Sequence, residues 1–184
     1  MGGEACPPAE QQQVGKKAVT GEPKLELAGD VWVASHQKDT TLDMGKVGTT
    51  QSIQASFCEN VKFVVPEKVL SIAVINCKGV EIDMKSCISG MELTNSEGVK
   101  VRVKGMLPSA AIDKCQTVAF WINKVNAEMI MFTSCKSGDM NVNVNLNETD
   151  NVDEDDWVEM AIHEQFEHRI TPQMKMETKP SILY

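Results

Sequence analysis

A 19-residue repeat constrains this chain more than any other feature of its sequence. Val61, Val80, Val99 and Val118 are equally spaced; two positions on, Phe63, Ile82, Val101 and Phe120 keep the period, and Val65, Met84, Val103 and Ile122 follow. All twelve positions are apolar in a chain that is 42% hydrophobic, a coincidence expected about three times in 10⁵ from that composition. The columns between them are mixed: Lys62, Glu81, Lys100 and Ala119, then Val64, Asp83, Arg102 and Trp121. Apolar positions at period two mark a strand with one buried face.

A second ladder precedes the first in each repeat: Ile53, Ile72, Met91, Ala110 and Met129, with Ala55, Val74, Leu93, Ile112 and Met131 two positions on. Two short strands in each repeat leave no room for a helix. Asn76-Cys77-Lys78-Gly79 and Asn95-Ser96-Glu97-Gly98 supply turn chemistry between the ladders. Stacked coils satisfy their backbones by hydrogen bonds to one another and bury one continuous core. The repeat therefore predicts an all-β chain, a parallel β-helix with coils of about 19 residues. An antiparallel sandwich would need no constant period. The same period aligns Cys58, Cys77 and Cys115 with Ser96 and Ser134 at one corner. Stacked Cα atoms there lie about 4.8 Å apart, within disulfide reach, but without a secretory signal free thiols packed at a corner are expected.

Both ends of such a helix expose strand edges that need covering. Leu25, Leu27, Val31 and Trp32 are expected to begin the first coil. The period breaks after Val118, since the interval from there to Met140 is longer than one repeat. Met140, Val142, Val144 and Leu146 read as a last inward strand. The acidic run Asn147 to Asp156 reads as a solvated loop, because it lacks the glycine and spacing of an EF-hand. Trp157 to Ile162 reads as a further strand. One domain over 23–170 is expected, between a disordered tail at 1–22 and a C-terminal tail at 171–184.

Composition narrows the function classes. A formal net charge of −8 argues against a nucleic-acid partner. No stretch reaches the roughly 18 apolar residues of a membrane span, so no membrane insertion is expected. MGGEACPPAE lacks the basic start and apolar core of a secretory signal, which points to the cytoplasm. Gly2 opens a myristoylation pattern, but Cys6 stands where Ser or Thr is required. No C-x-x-C pair exists and the three histidines are not at ligand spacing with the cysteines, so no metal site is expected. There is no P-loop, Ser-His-Asp order or glycine-rich phosphate cradle, and neither catalytic residues nor a cofactor are expected.

Several segments along residues 23–170 resemble the C-terminal domain of cyclase-associated proteins. Pro23-Lys24-Leu25-Glu26-Leu27 with Gly29 and Trp32 is similar to its opening, and Ser71-Ile72 through Asn76-Cys77-Lys78 to its hydrophobic–Asn-Cys-Lys turn. Lys136-Ser137-Gly138-Asp139-Met140-Asn141-Val142 resembles its Lys-Ser-Ser-Glu-Met-Asn segment, and Glu164-Gln165-Phe166 its Pro-Glu-Gln-Phe, with His163 in place of the proline. The resemblance implies a right-handed β-helix that forms a homodimer by exchanging its C-terminal strands. It implies binding of monomeric actin, preference for the ADP-bound form, promotion of ADP-to-ATP exchange and a role in filament turnover at the cytoskeleton. The exchanged segment would be Trp157 to Phe166, with Trp157, Val158, Met160, Ile162, Gln165 and Phe166 in the dimer interface. Without the resemblance, that segment reads as a capping strand within one chain. Larger family members carry an N-terminal helical domain and proline-rich stretches, and the chain resembles a short member restricted to the C-terminal domain.

The outward columns carry the candidate actin surface. Lys100, Arg102 and Lys104 alternate on one strand, with Lys85 one coil before Lys104 and Trp121 one coil after Arg102. A tryptophan beside arginine has the composition of an interaction hot spot, and cations on an acidic protein suit an acidic partner such as actin. Lys136, Ser137, Asp139 and Asn141 form a second candidate, by resemblance alone. Rival classes are a polysaccharide-processing β-helix, which needs clustered outward carboxylates, and a tubulin-cofactor-like β-helix that stimulates a GTPase through an arginine finger. An actin-sequestering dimer without exchange activity is a third.

Overall fold

The computed structural model describes residues 21–147 and 156–181. In chain order its elements are β1 (Lys24–Ala28), β2 (Val31–Ser35), β3 (Lys38–Asp43), β4 (Ser52–Ser56), β5 (Glu59–Ile75), β6 (Glu81–Thr94), β7 (Glu97–Val103), β8 (Ser109–Asp113) and β9 (Gln116–Asn123). A single helical turn, α1 (Lys124–Ala127), precedes β10 (Met131–Cys135), β11 (Gly138–Asn145), β12 (Trp157–Ala161), β13 (Phe166–Ile170) and β14 (Met176–Pro180). What bends the chain is a recurring corner, built in each coil from a pair of left-handed backbone positions. One column of these is His36, Phe57, Asn76, Asn95, Lys114 and Lys136; the other is Asp39, Asn60, Gly79, Gly98, Thr117 and Asp139. Asparagine, aspartate and glycine tolerate that conformation at low cost, which is why they recur there.

Two parallel walls run through the stack. One consists of β2, β4, the latter halves of β5 and β6, then β8 and β10; the other of β3, the earlier halves of β5 and β6, then β7, β9 and β11. This is a β-solenoid of about 6 turns. The middle register follows the repeat: Ile53 faces Ile72, Ile72 faces Met91, and Met91 faces Ala110. Val61, Phe63, Ile82, Val101 and Phe120 are buried, as the alternation predicts. Deleting one of the phenylalanine rings would cost about 3–5 kcal/mol.

The last coil departs from the period. The turn α1 lengthens it, so that Ala110 faces Phe132 rather than Met129, and Val118 faces Met140. Met129 and Met131, expected to point inward, are therefore exposed. Phe132 takes the inward place and packs edge-on against Phe120 with ring centroids 5.1 Å apart. The corner column also shifts: Ser137 completes it, and Ser134 instead pairs with Ile112. In that column each inward side chain accepts a backbone N–H from the preceding coil. Cys77 Sγ accepts from Cys58 N at 3.4 Å, Ser96 Oγ from Cys77 N at 3.1 Å and Ser137 Oγ from Cys115 N at 3.0 Å. Small size alone does not explain the column; a buried acceptor at a corner that no strand ladder can serve does. The described cysteines are free thiols; Cys6 lies outside the described residues. Burial holds the Cys87 and Cys115 thiols above their ordinary range, while Cys77 is raised by its hydrogen bond with Cys58 and by burial.

Each end is closed by an antiparallel strand. Leu25 and Leu27 do not begin the first coil; they lie on β1, which reverses onto β2 with Leu25 against Ala34 and Leu27 against Trp32. At the other end β12 reverses onto β11, with Val158 against Val144 and Met160 against Val142. Leu146, expected inward, is half-exposed because β11 ends at Asn145. Met176–Pro180, within the expected C-terminal tail, is strand β14, which pairs with β13 as a separate antiparallel hairpin. The acidic residues 148–155 and the Gly2–Cys6 acylation pattern lie outside the described residues.

Candidate functional site

The parallel register fixes where the outward side chains stand. One outward column runs Asp83, Arg102, Trp121, Asn143 and Glu159. The neighbouring one contains Asn123, Asn145 and Trp157, with Lys104 beside Asn123, whose Nδ2 donates to the Lys104 carbonyl at 2.8 Å. Arg102 lies over the Trp121 ring, its guanidinium carbon 5.4 Å from the ring centroid. That contact is a cation–π pair of about 0.5–1 kcal/mol at an exposed site.

Ion pairing divides the predicted cations. Lys85 pairs with Glu67 at 3.4 Å and Lys100 with Glu81 at 3.6 Å. Asp83, in register with Arg102, is held by Lys62 at 2.6 Å. Among the described residues Arg102 and Lys104 have no carboxylate partner. The patch of four cations thus reduces to Arg102 and Lys104 beside Trp121. Those three line a concavity of about 540 Å³ together with Val103, Ile122, Asn123, Asn145 and Trp157. Trp157, which the resemblance assigns to the dimer interface, lines this hollow. Its position was not legible from the period, because β12 runs against the coils and lies beyond the last repeat.

The second candidate divides differently. Ser137 is occupied in the corner column, donating to the carbonyls of Cys135 at 2.9 Å and Ile112 at 3.2 Å. Asp139 accepts from Thr117 Oγ1 at 2.8 Å, and Asn141 sits on the outward face between Ala119 and Ala161. Lys136 stays exposed and lines a second hollow with Gln116, His163, Glu164, Gln165 and Phe166. The structure therefore brings Lys136 to the foot of the C-terminal hairpin, on a different surface from Arg102. Glu81 and Asp83, the outward carboxylates a polysaccharide-processing enzyme would need, are both in ion pairs with lysines.

The C-terminal segment leaves apolar surface open. Val158 and Met160 face the core column, yet are 41% and 48% exposed, whereas Val142 and Val144 one strand inward are at most 5% exposed. On the hairpin one face is charged: Arg169 donates to Glu177 at 2.6 and 2.8 Å, and Lys179 pairs with Glu167 at 3.0 Å. The other carries Phe166 and Ile170 opposite Pro180 and Met176. Phe166, Ile170 and Met176 are all exposed. No helix among the described residues is long and apolar enough to cross a membrane.

Residues 21–182 match the family model described as adenylate cyclase associated (CAP) C terminal. Cyclase-associated protein 1 of Arabidopsis thaliana is 30% identical over 88% of the chain and 33% of its own length. The adenylyl cyclase-associated protein of Dictyostelium discoideum is 32% identical over 76% of the chain and 29% of its own length. The chain thus spans about a third of the length of these curated relatives. A crystal structure of cyclase-associated protein from Cryptosporidium parvum superposes with a TM-score of 0.76 at 27% identity, covering 88% of this chain and 97% of that one.

Proposed function

The chain belongs to the family of cyclase-associated protein C-terminal domains, and on that premise we propose that it binds monomeric actin, ADP-bound by preference, and promotes exchange of ADP for ATP. The observation that carries this reading is the Arg102–Lys104 pair beside Trp121 on the outer wall of the solenoid, where neither cation has a carboxylate partner among the described residues. Arginine and tryptophan are the residue types that dominate binding at protein interfaces, and unpaired cations steer an acidic partner into place. The mechanism is differential binding: a partner with higher affinity for an actin conformation whose nucleotide cleft is loosened shifts the population toward it and speeds release. No covalent step is required of the chain itself.

The working unit in this reading is a cytoplasmic homodimer. Val158, Met160, Phe166, Ile170 and Met176 offer apolar surface that a second copy would bury, by exchanging strands or by docking against them. Release of a fluorescent ATP analogue from actin monomers, with and without the protein, tests the exchange activity. Acceleration supports it. Binding without acceleration favours a sequestering dimer, and no binding removes actin as the partner. Stimulation of a GTPase that is lost in Arg102→Ala would favour the arginine-finger class instead.

A further inference from the structure

The hollow beside Arg102 has one wall that comes from beyond the repeating coils, on the antiparallel strand β12. Its floor is Asn123 and Asn145, neighbours across β9 and β11. Both are short side chains held down by local bonds. Asn123 Nδ2 donates to the carbonyls of Lys104 and Gly105, and its Oδ1 accepts the Asn126 N–H at 2.7 Å. Asn145 Oδ1 accepts the Asn147 N–H at 2.9 Å. Neither side chain is free to rise and fill the space above it. Lys104 stands at one end of this floor and the indole of Trp157 at the other, directly across from Asn145. Trp121, covered on one side by Arg102, forms the flank.

From this arrangement we infer that Trp157 is part of the partner-binding site, and that the hollow takes a partner segment carrying carboxylates on either side of an apolar side chain. The apolar side chain fills the space over the two asparagines, between the indoles. The carboxylates meet the guanidinium edge of Arg102, which stacking on Trp121 leaves open, and the ammonium of Lys104. The site is complete only while β12 lies on β11, so occupying it holds down the strand that closes the solenoid edge. Binding and β12 protection are thereby linked. With actin as the source of that segment, the inference rests on the function proposed above; the peptide measurement below is independent of it.

The test compares ADP-actin affinity of the wild type, Trp157→Ala, Trp157→Phe, Trp121→Ala and Lys104→Glu, with molar mass measured for each. Trp157→Ala is expected to weaken binding about tenfold, as truncating a hot-spot indole does, without changing the mass. Trp157→Phe should restore most of that loss, and Lys104→Glu, which leaves β12 untouched, should weaken binding comparably. Hydrogen exchange at residues 157–161 should slow when actin is bound. Wild-type affinity in Trp157→Ala alongside weakened Trp121→Ala would overturn the inference, as would a mass change that accounts for the whole loss. If the wild type binds no actin, the function reading falls and a short Asp-Leu-Asp peptide titrated against tryptophan fluorescence decides. A saturable shift lost in Trp157→Ala and in Lys104→Glu upholds the hollow as an acidic-peptide site, and no shift overturns it.

Discussion

Among the described residues, Thr117 is the one β-branched side chain held in left-handed backbone. It holds φ 57°, in a column otherwise filled by Asp39, Asn60, Gly79, Gly98 and Asp139. A β-branched side chain in left-handed backbone costs about 1–2 kcal/mol. Asn60, in the same column, donates to Asp39 at 2.9 Å, so an asparagine at 117 can reach Asp139 as the threonine hydroxyl does. Thr117→Asn is expected to stabilise by about 1 kcal/mol and raise the melting temperature by about 2–4 °C; a lower melting temperature would refute the strain. Cys115 gives a pH prediction. Its folded-state thiol is raised from 9.0, mainly by burial. The stability it contributes is therefore full below pH 9.0 and is lost as pH rises through the folded value. Between about pH 8 and about pH 10, on either side of a normal thiol pKa, the denaturant midpoint should fall more in the wild type than in Cys115→Ser. Serine preserves the acceptor chemistry of the column. Equal slopes would remove Cys115 from the pH response.

Among the elements, the hairpin β13–β14 is the one whose pairing is wholly internal. It forms its own two-stranded sheet, while the solenoid continues through β12. An isolated hairpin is at best marginal in water, and this one exposes Phe166, Ile170, Met174 and Met176. Dimerisation should therefore depend on it while solenoid folding does not. Ile170→Asp combined with Met176→Asp is expected to halve the molar mass in light scattering at micromolar concentration and to leave the strand signature in circular dichroism intact. A mass unchanged by both aspartates would move the dimer contact elsewhere, and a monomeric wild type would remove the dimer altogether. The turn α1 shows the opposite dependence. Its short helical insertion lengthens one coil, and in doing so reverses which side chains of β10 face the core.

For the whole molecule, a net charge of −8 sets the background against which two cations act. Lys62, Lys85 and Lys100 are tied to carboxylates, so among the predicted cations Arg102 and Lys104 are the ones left to attract an acidic partner, with Lys124 next to Asn123 at the rim. Screening shortens from a Debye length of about 30 Å at about 0.01 M salt to about 10 Å at about 0.1 M. If actin is the partner, repulsion by the net charge is screened together with the local attraction, so the readout is the difference between variants: Lys104→Glu should lower the association rate relative to the wild type by a factor that shrinks as salt rises across that range. Equal association rates for the two proteins at low salt would argue that the hollow acts by shape alone.

The solenoid was written in the repeat. A constant period with apolar alternation admits stacked parallel coils, and each middle coil shares its neighbour's register, so Phe63, Ile82, Val101 and Phe120 were legible as one buried column. Arg102 and Trp121 were legible as neighbours for the same reason: one period apart on a repeating strand means adjacent in space. The last coil was legible only in part. The long interval between Val118 and Met140 signalled a break, but where the extra residues enter sets which face of β10 is buried, and that followed from α1. The place of Trp157 came from three-dimensional packing and from nothing in the spacing. It lies on a strand that reverses direction beyond the repeat, so its register depends on how β12 packs against β11. Which lysines have carboxylate partners among the described residues was settled in the same way, because an ion pair depends on the reach of side chains from neighbouring coils, as Lys62 reaching Asp83 leaves Arg102 to Trp121.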